Sequence, residues 1–171
     1  YVCRYGRAVD FVKVLDFGLV KSQAGDDDQV ATLTGADVAG GTPAFMSPEQ
    51  VLSNRPIDGR SDIYAVGCVA YWLLTGELVF TGRTAMETML KHTEEAPVPP
   101  SSRSELPVSG ELDALILACL AKSPEGRPES ADVLAVRLAA VATAAWSEDR
   151  AREWWDVHSP AAAPAVTDGL V

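Results

Sequence analysis

The sequence predicts a mainly α fold that opens with a short β-hairpin, and three observations predict it. Residues 1–3 and 11–15 are β-rich runs separated by RYGRAVD, in which Gly6 permits a turn. From Ser61 onward the apolar residues recur at helical spacing instead of alternating. Of the 171 residues, 47% are apolar and 22% charged, which is ordinary globular usage, and a chain of this size can bury roughly two-thirds of its unfolded surface.

The elements follow in order. Residues 22–41, SQAGDDDQVATLTGADVAGG, lose all periodicity and read as a long functional loop, with Asp26, Asp27 and Asp28 on a solvated face. SDIYAVGCVAYWLLTG, residues 61–76, reads as a helix capped by Ser61 or Asp62 and closed by Gly76. Apolar residues on almost every side of it predict a buried central helix. Residues 111–121 place Leu112, Leu115, Ile116, Cys119 and Leu120 at helical spacing. Residues 130–142 place Leu134, Leu138 and Val141 on one stripe behind a Ser130 cap. Pro97, Pro99 and Pro100 mark a loop between helices. Residues 144–158 read as a terminal amphipathic helix and 159–171 as a flexible tail. Trp154 and Trp155 are expected to dock onto the protein's own helices, an aromatic patch for a partner being the other use of such a pair.

Composition excludes several functions. A net charge of −10 and no basic patch exclude nucleic-acid binding. Cys3, Cys68 and Cys119 are odd in number, widely spaced and set among apolar neighbours, so they read as buried thiols in a reducing compartment and not as disulfides or a metal site. His92 and His158 have no ligand-spaced companions, so no metal cage of that type is assigned. No stretch has the length of a membrane span and none reads as a signal peptide, so the expected location is cytoplasmic. The chain starts at Tyr1 inside a strand, from which a true N-terminus further upstream is expected.

Four motifs carry the chemistry. The first is Asp16-Phe17-Gly18, where a carboxylate at the end of a strand can hold a hard cation through oxygen, the ring packs inward and the glycine lets the backbone turn. Then come GGTPAFMSPEQ at 40–50, DGRSDIYAVGCVAYWLLTG at 58–76, and SPEGRPES at 123–130. In this order they resemble the protein kinase family: the magnesium-binding triplet, the end of the activation segment, the central helix of the large lobe and a late arginine motif. Ser47 stands where the family has Ala, and Phe45 where it often has Tyr.

The resemblance implies a protein kinase-like large lobe over residues 1–143, with an activation segment at 16–49 and the N-terminal lobe absent. It implies that Asp16, with Phe17 and Gly18, holds Mg²⁺ against ATP. Glu49 and Arg127 would form a structural ion pair, and Asp62 would hydrogen-bond backbone of the catalytic loop. Thr42, beside Pro43, would contact the catalytic machinery as in enzymes that phosphorylate Ser or Thr. Thr32 and Thr34 are candidate phosphosites, where a phosphate could order the segment by pairing with an arginine. Pro48-Glu49-Gln50 resembles the bacterial Ser/Thr kinases. The partners implied are protein substrates and, through autophosphorylation, the kinase itself.

The glycine-rich loop, strand lysine and Asp–Asn catalytic loop that phosphoryl transfer needs do not occur in these residues, the His-Arg-Asp loop being expected just upstream of Tyr1. The isolated piece is therefore expected to be inactive. The alternative is a non-catalytic kinase-like binding or regulatory module, and an unrelated helical protein would need all four motifs to be accidental.

Overall fold

The structure is a computed structural model that describes residues 2–5, 8–12, 42–141 and 146–158. Among them run strands β1 (Val2–Tyr5) and β2 (Ala8–Val12), then helices α1 (Pro48–Leu52), α2 (Gly59–Thr75), α3 (Ala85–Glu94), α4 (Gly110–Cys119), α5 (Ala131–Ala140) and α6 (Glu148–His158). Single 3₁₀ turns stand at Pro43–Phe45, Pro100–Ser102 and Pro124–Gly126. The fold is mainly α with a short hairpin. The hairpin and α6 form one compact unit, and α1 to α5 form another.

Each of the helices α2 to α5 begins on a side chain that accepts from an otherwise orphaned backbone N–H. These are Asp58 from Arg60 (2.8 Å) at α2, Thr84 from Glu87 (3.1 Å) at α3, Ser109 from Leu112 (3.2 Å) at α4 and Ser130 from Val133 (3.2 Å) at α5. Each such cap is worth about 1 kcal/mol. Ser130 caps as its sequence position predicts. Helix α2 starts two residues before the expected position, because Asp58 has both the cap geometry and a guanidinium partner in Arg60 at 2.7 Å. It ends on Gly76 at φ 71°, a left-handed turn that glycine makes without strain. Helices α1 and α3 are not among the expected elements, although Thr84-Ala-Met-Glu87 carries the start signal of the latter.

The core of this unit joins Tyr64, Cys68 and Tyr71 of α2 to Val79 and Phe80 of the following loop and to Ile116 and Leu120 at α4. Gly67 makes the crossing close: a Cβ built there would lie 2.8 Å from Cys119 Cβ. Gly67→Ala is therefore expected to overpack the α2–α4 contact and to destabilise by ~1–3 kcal/mol, read as a lower midpoint in urea. Burial also pushes the Cys68 thiol up to about 12, which keeps it protonated and inert.

Two expectations need correction. Helix α2 is not covered on every side among the described residues: Val66, Val69 and Leu73 are 51%, 44% and 70% exposed along one face. Periodicity locates apolar side chains but does not supply the surface that covers them. The α5 stripe is likewise shallow, with no residue of that helix buried and Leu138 exposed. No described helix is long and apolar enough to cross a membrane.

In the hairpin, Val2 pairs with Val12, Cys3 with Phe11 and Tyr5 with Ala8. Two residues of β2, Val9 and Asp10, therefore oppose Arg4 alone, and this bulge sets Asp10 at φ 55°. The strands lie closer together in sequence than the expected RYGRAVD connection allows, because Tyr5 and Ala8 already pair. Residues 13–15 of the expected second strand lie outside the described residues, as does the expected tail at 159–171.

Candidate functional site

The best-defined site lies where the expected activation segment ends. Pro43–Phe45 forms its 3₁₀ turn, with Phe45 N–H donating to the Thr42 carbonyl at 3.0 Å and Thr42 itself exposed. Ser47 is fully buried at the start of α1, where its N–H and hydroxyl both donate to Gln50 Oε1 at 2.9 and 3.0 Å. A serine in place of alanine thus gives α1 a polar tie. Two residues on, the helix carries Glu49 into the interior, leaving it 2% exposed.

A buried carboxylate needs compensation, and Glu49 receives it from three donors. Arg127 Nη1 donates to Oε1 and Nη2 to Oε2, both at 2.8 Å, and Ser61 Oγ donates to Oε1 at 2.5 Å. Ser61 is thus a buried donor to Glu49 and not the helix cap that its sequence position suggests. Burial alone would raise the Glu49 carboxyl, but the hydrogen bonds from Arg127 and Ser61 outweigh it and hold the group down, at about 2.

Arg127 is satisfied in full. Beyond the two bonds to Glu49, Nε donates to the Ala121 carbonyl (2.8 Å), Nη1 to that of Arg60 (2.9 Å) and Nη2 to that of Lys122 (3.1 Å). All five guanidinium N–H groups therefore have acceptors, and the group also sits over the Tyr64 ring at 4.8 Å. The planar fork ties α1, the start of α2 and the 121–127 loop to one point.

Beneath the 3₁₀ turn lies a residue that motif reading missed. His92 of α3 has no solvent exposure; its Nδ1 is 2.8 Å from the Tyr64 hydroxyl and its ring meets Phe80 edge-on at 5.0 Å. Burial first, and the positive charge of Lys122 second, lower His92 to about 4, against an upward pull from the backbone of Ala44. The ring is therefore neutral at pH 7. Tyr64 and Nδ1 then share one hydrogen bond whose direction follows the ring tautomer, and Nε2 is buried without a hydrogen-bond partner among the described residues. Lys122 closes the cluster, donating to the His92 carbonyl at the end of α3 (2.8 Å) and lying over the Phe80 ring at 4.4 Å. The sequence signal for His92 is only its place on the inner face of an amphipathic helix.

A cleft of about 250 Å³ beside this site is lined by Leu52, Asn54, Arg55, Thr93, Lys122 and Ser123, among others. Asp62 lies apart from the ion pair, exposed in the first turn of α2. Asp16, Phe17, Gly18, Thr32 and Thr34 lie outside the described residues. Among the described residues no group of three His, Cys, Asp or Glu could hold a metal ion, so a magnesium site rests on the sequence motif at Asp16.

Comparison with known proteins finds relatives of the chain. Residues 5–138 match the family model of the protein kinase domain. The serine/threonine-protein kinase pkn3 of Myxococcus xanthus is 46% identical over 133 residues, which are 77% of this chain and 24% of that protein. The serine/threonine-protein kinase PknB of Mycobacterium tuberculosis is 44% identical over 124 residues, 72% of this chain and 19% of that protein. The chain thus spans about a quarter or less of the length of these relatives. Since the family model covers well over half of it, the chain belongs to the protein kinase family, with bacterial serine/threonine kinases among its relatives.

Proposed function

We propose that these residues are the large-lobe part of a cytoplasmic bacterial kinase that transfers the γ-phosphoryl group of ATP to Ser and Thr hydroxyls of proteins, including its own. The observation that carries this reading is the anchored end of the activation segment, in which Glu49 and Arg127 fix the turn that presents Thr42 and Pro43. In such a kinase that turn lies beside the hydroxyl that accepts phosphate, and Thr42 is the residue we assign to the catalytic machinery there.

Asp16, with Phe17 and Gly18, is assigned to the divalent cation, whose chemistry is to neutralise and orient the nucleotide phosphates. Asp62 is assigned to holding backbone of the catalytic loop, and Thr32 and Thr34 to phosphorylation that orders the segment. Residues 1–143 form the large-lobe part in this reading, followed by a terminal helix over 144–158 and a tail. On their own, residues 1–171 are proposed to be inactive, because a phosphate-covering loop and a catalytic base are not among them.

The test uses radiolabelled ATP and a general protein substrate. The natural gene product that carries these residues is expected to label Ser and Thr, with Asp16→Asn lowering the rate at least ~100-fold, while residues 1–171 alone label nothing. Label on tyrosine, or full activity in Asp16→Asn, would overturn the assignment. Transfer by residues 1–171 alone would overturn the proposed inactivity.

A further inference from the structure

Helix α6 lies past residue 138, where the match to the kinase family ends, and it does not end free in solvent. It returns to the hairpin at the other end of the sequence. Trp155 Nε1 donates to Asp10 Oδ1 and Trp146 Nε1 to Asp10 Oδ2, both at 2.6 Å. Each carboxylate oxygen thus takes one indole N–H, a pairing of an ionised acceptor with strong donors. Ala151, one turn before Trp155 on the same helix face, is 1% exposed. Its small side chain lets the helix lie close. The neighbouring Trp154 takes no part in the clasp: it stacks on His158 at 4.3 Å and stays 44% exposed. Of the two adjacent tryptophans, Trp155 is the one whose indole reaches the hairpin.

Asp10 is set up for this contact by its backbone. The bulge in β2 puts it at φ 55°, a conformation that aspartate tolerates far better than bulkier residues, and a bulge re-aims the side chain it carries. The two indole hydrogen bonds also lower the Asp10 carboxyl below its ordinary value, so the acceptor stays ionised throughout the neutral range. A hairpin of two strands is at best marginal by itself. Here it gains a third element from a distant part of the chain.

We propose that α6, with Trp146 just before it, is an intramolecular strap: it closes Trp146 and Trp155 on Asp10, holds the hairpin in its bulged register, and so fixes strand β2, after which Asp16 follows four residues on in the sequence. Asp10, Trp146 and Trp155 are positioning residues: they hold β2, and Asp16, assigned above to the cation, follows Val12 by four residues in the sequence. The positioning role rests on the kinase reading above; the docking does not.

The two parts have separate tests. In the 171-residue chain, amide hydrogen exchange is followed by mass spectrometry for wild type, Asp10→Ala, Asp10→Asn and Trp155→Phe. Exchange in residues 2–12 and 148–158 is expected to quicken together by at least ~10-fold in Asp10→Ala and Trp155→Phe, with α2 and α4 unchanged as the internal check on folding. Asp10→Asn keeps the backbone preference and one acceptor and should fall between. Unchanged exchange in the hairpin of Trp155→Phe overturns the strap. In the natural gene product, Trp155→Phe is expected to raise the magnesium–ATP concentration for half-maximal rate several-fold while the KM for protein substrate stays put. Faster exchange with unmoved nucleotide kinetics overturns the positioning role. A wild-type gene product with no transferase activity instead sinks the kinase reading and the positioning role with it, and exchange still decides the docking.

Discussion

Replacing Arg127 by alanine lowers the unfolding free energy of the α1–α5 unit by about 3–5 kcal/mol. The loss has two sources. Glu49 is left as a carboxylate buried at 2% exposure with Ser61 as its one remaining side-chain donor among the described residues, and the carbonyls of Ala121, Arg60 and Lys122 each lose the bond that Arg127 donates. Glu49→Gln should cost less, since an amide can still accept from Ser61 and Arg127. Glu49→Leu combined with Arg127→Met should recover much of the loss, because removing both charges also removes the penalty of stranding one. Urea unfolding followed by circular dichroism measures all three. A loss below about 1 kcal/mol in Arg127→Ala would mean that the pair is open to water, and it would remove the support the anchored segment gives to the proposed function.

The second large effect is a pH dependence centred on His92. The folded-state value of about 4 lies below the ordinary 6.5, so the unfolded chain binds the proton more readily. Stability is therefore full above pH 6.5 and is lost as pH falls toward 4, by about 3 kcal/mol over that window. Glu49 acts in a lower range: its carboxyl is held at about 2 against 4.5, so its contribution is present above pH 4.5 and lost as pH falls through 2. The two windows overlap little. Urea midpoints from pH 7 to 4 should slope downward in wild type and flatten in His92→Gln, even though that variant starts less stable. An equal slope in both proteins would show that His92 is not the group responsible.

Much of this was legible in the sequence because the informative residues are local. Gly76 and Ser130 mark helix ends within a few residues of the apolar stripes they bound, and the four motifs lie in family order. Ser61 was misread because a serine at a helix start and a serine facing a buried carboxylate look alike until Glu49 is placed beside it. The exposed face of α2 was misread because Val66, Val69 and Leu73 satisfy the pattern of a buried helix whether or not anything covers them. The Asp10 clasp could not be read at all. Its partners stand 136 and 145 residues away, and no periodicity connects a bulged strand to two tryptophans at that distance. Asp16, Phe17, Gly18, Thr32 and Thr34 are known here by motif alone.

The separation of 78 residues between Glu49 and Arg127 also orders events during folding. Closing a loop of that length costs an unfolded chain about 4 kcal/mol of entropy by logarithmic scaling, more than one ion pair formed in water returns. The pair therefore cannot be where the structure begins. It is expected to close after the α2–α4 core, whose buried apolar surface offsets the entropy of bringing distant segments together, and a φ-value near zero for Arg127→Lys would check this. What Arg127 governs is thus less how quickly the chain finds its shape than how slowly the anchored segment lets go once the shape is found.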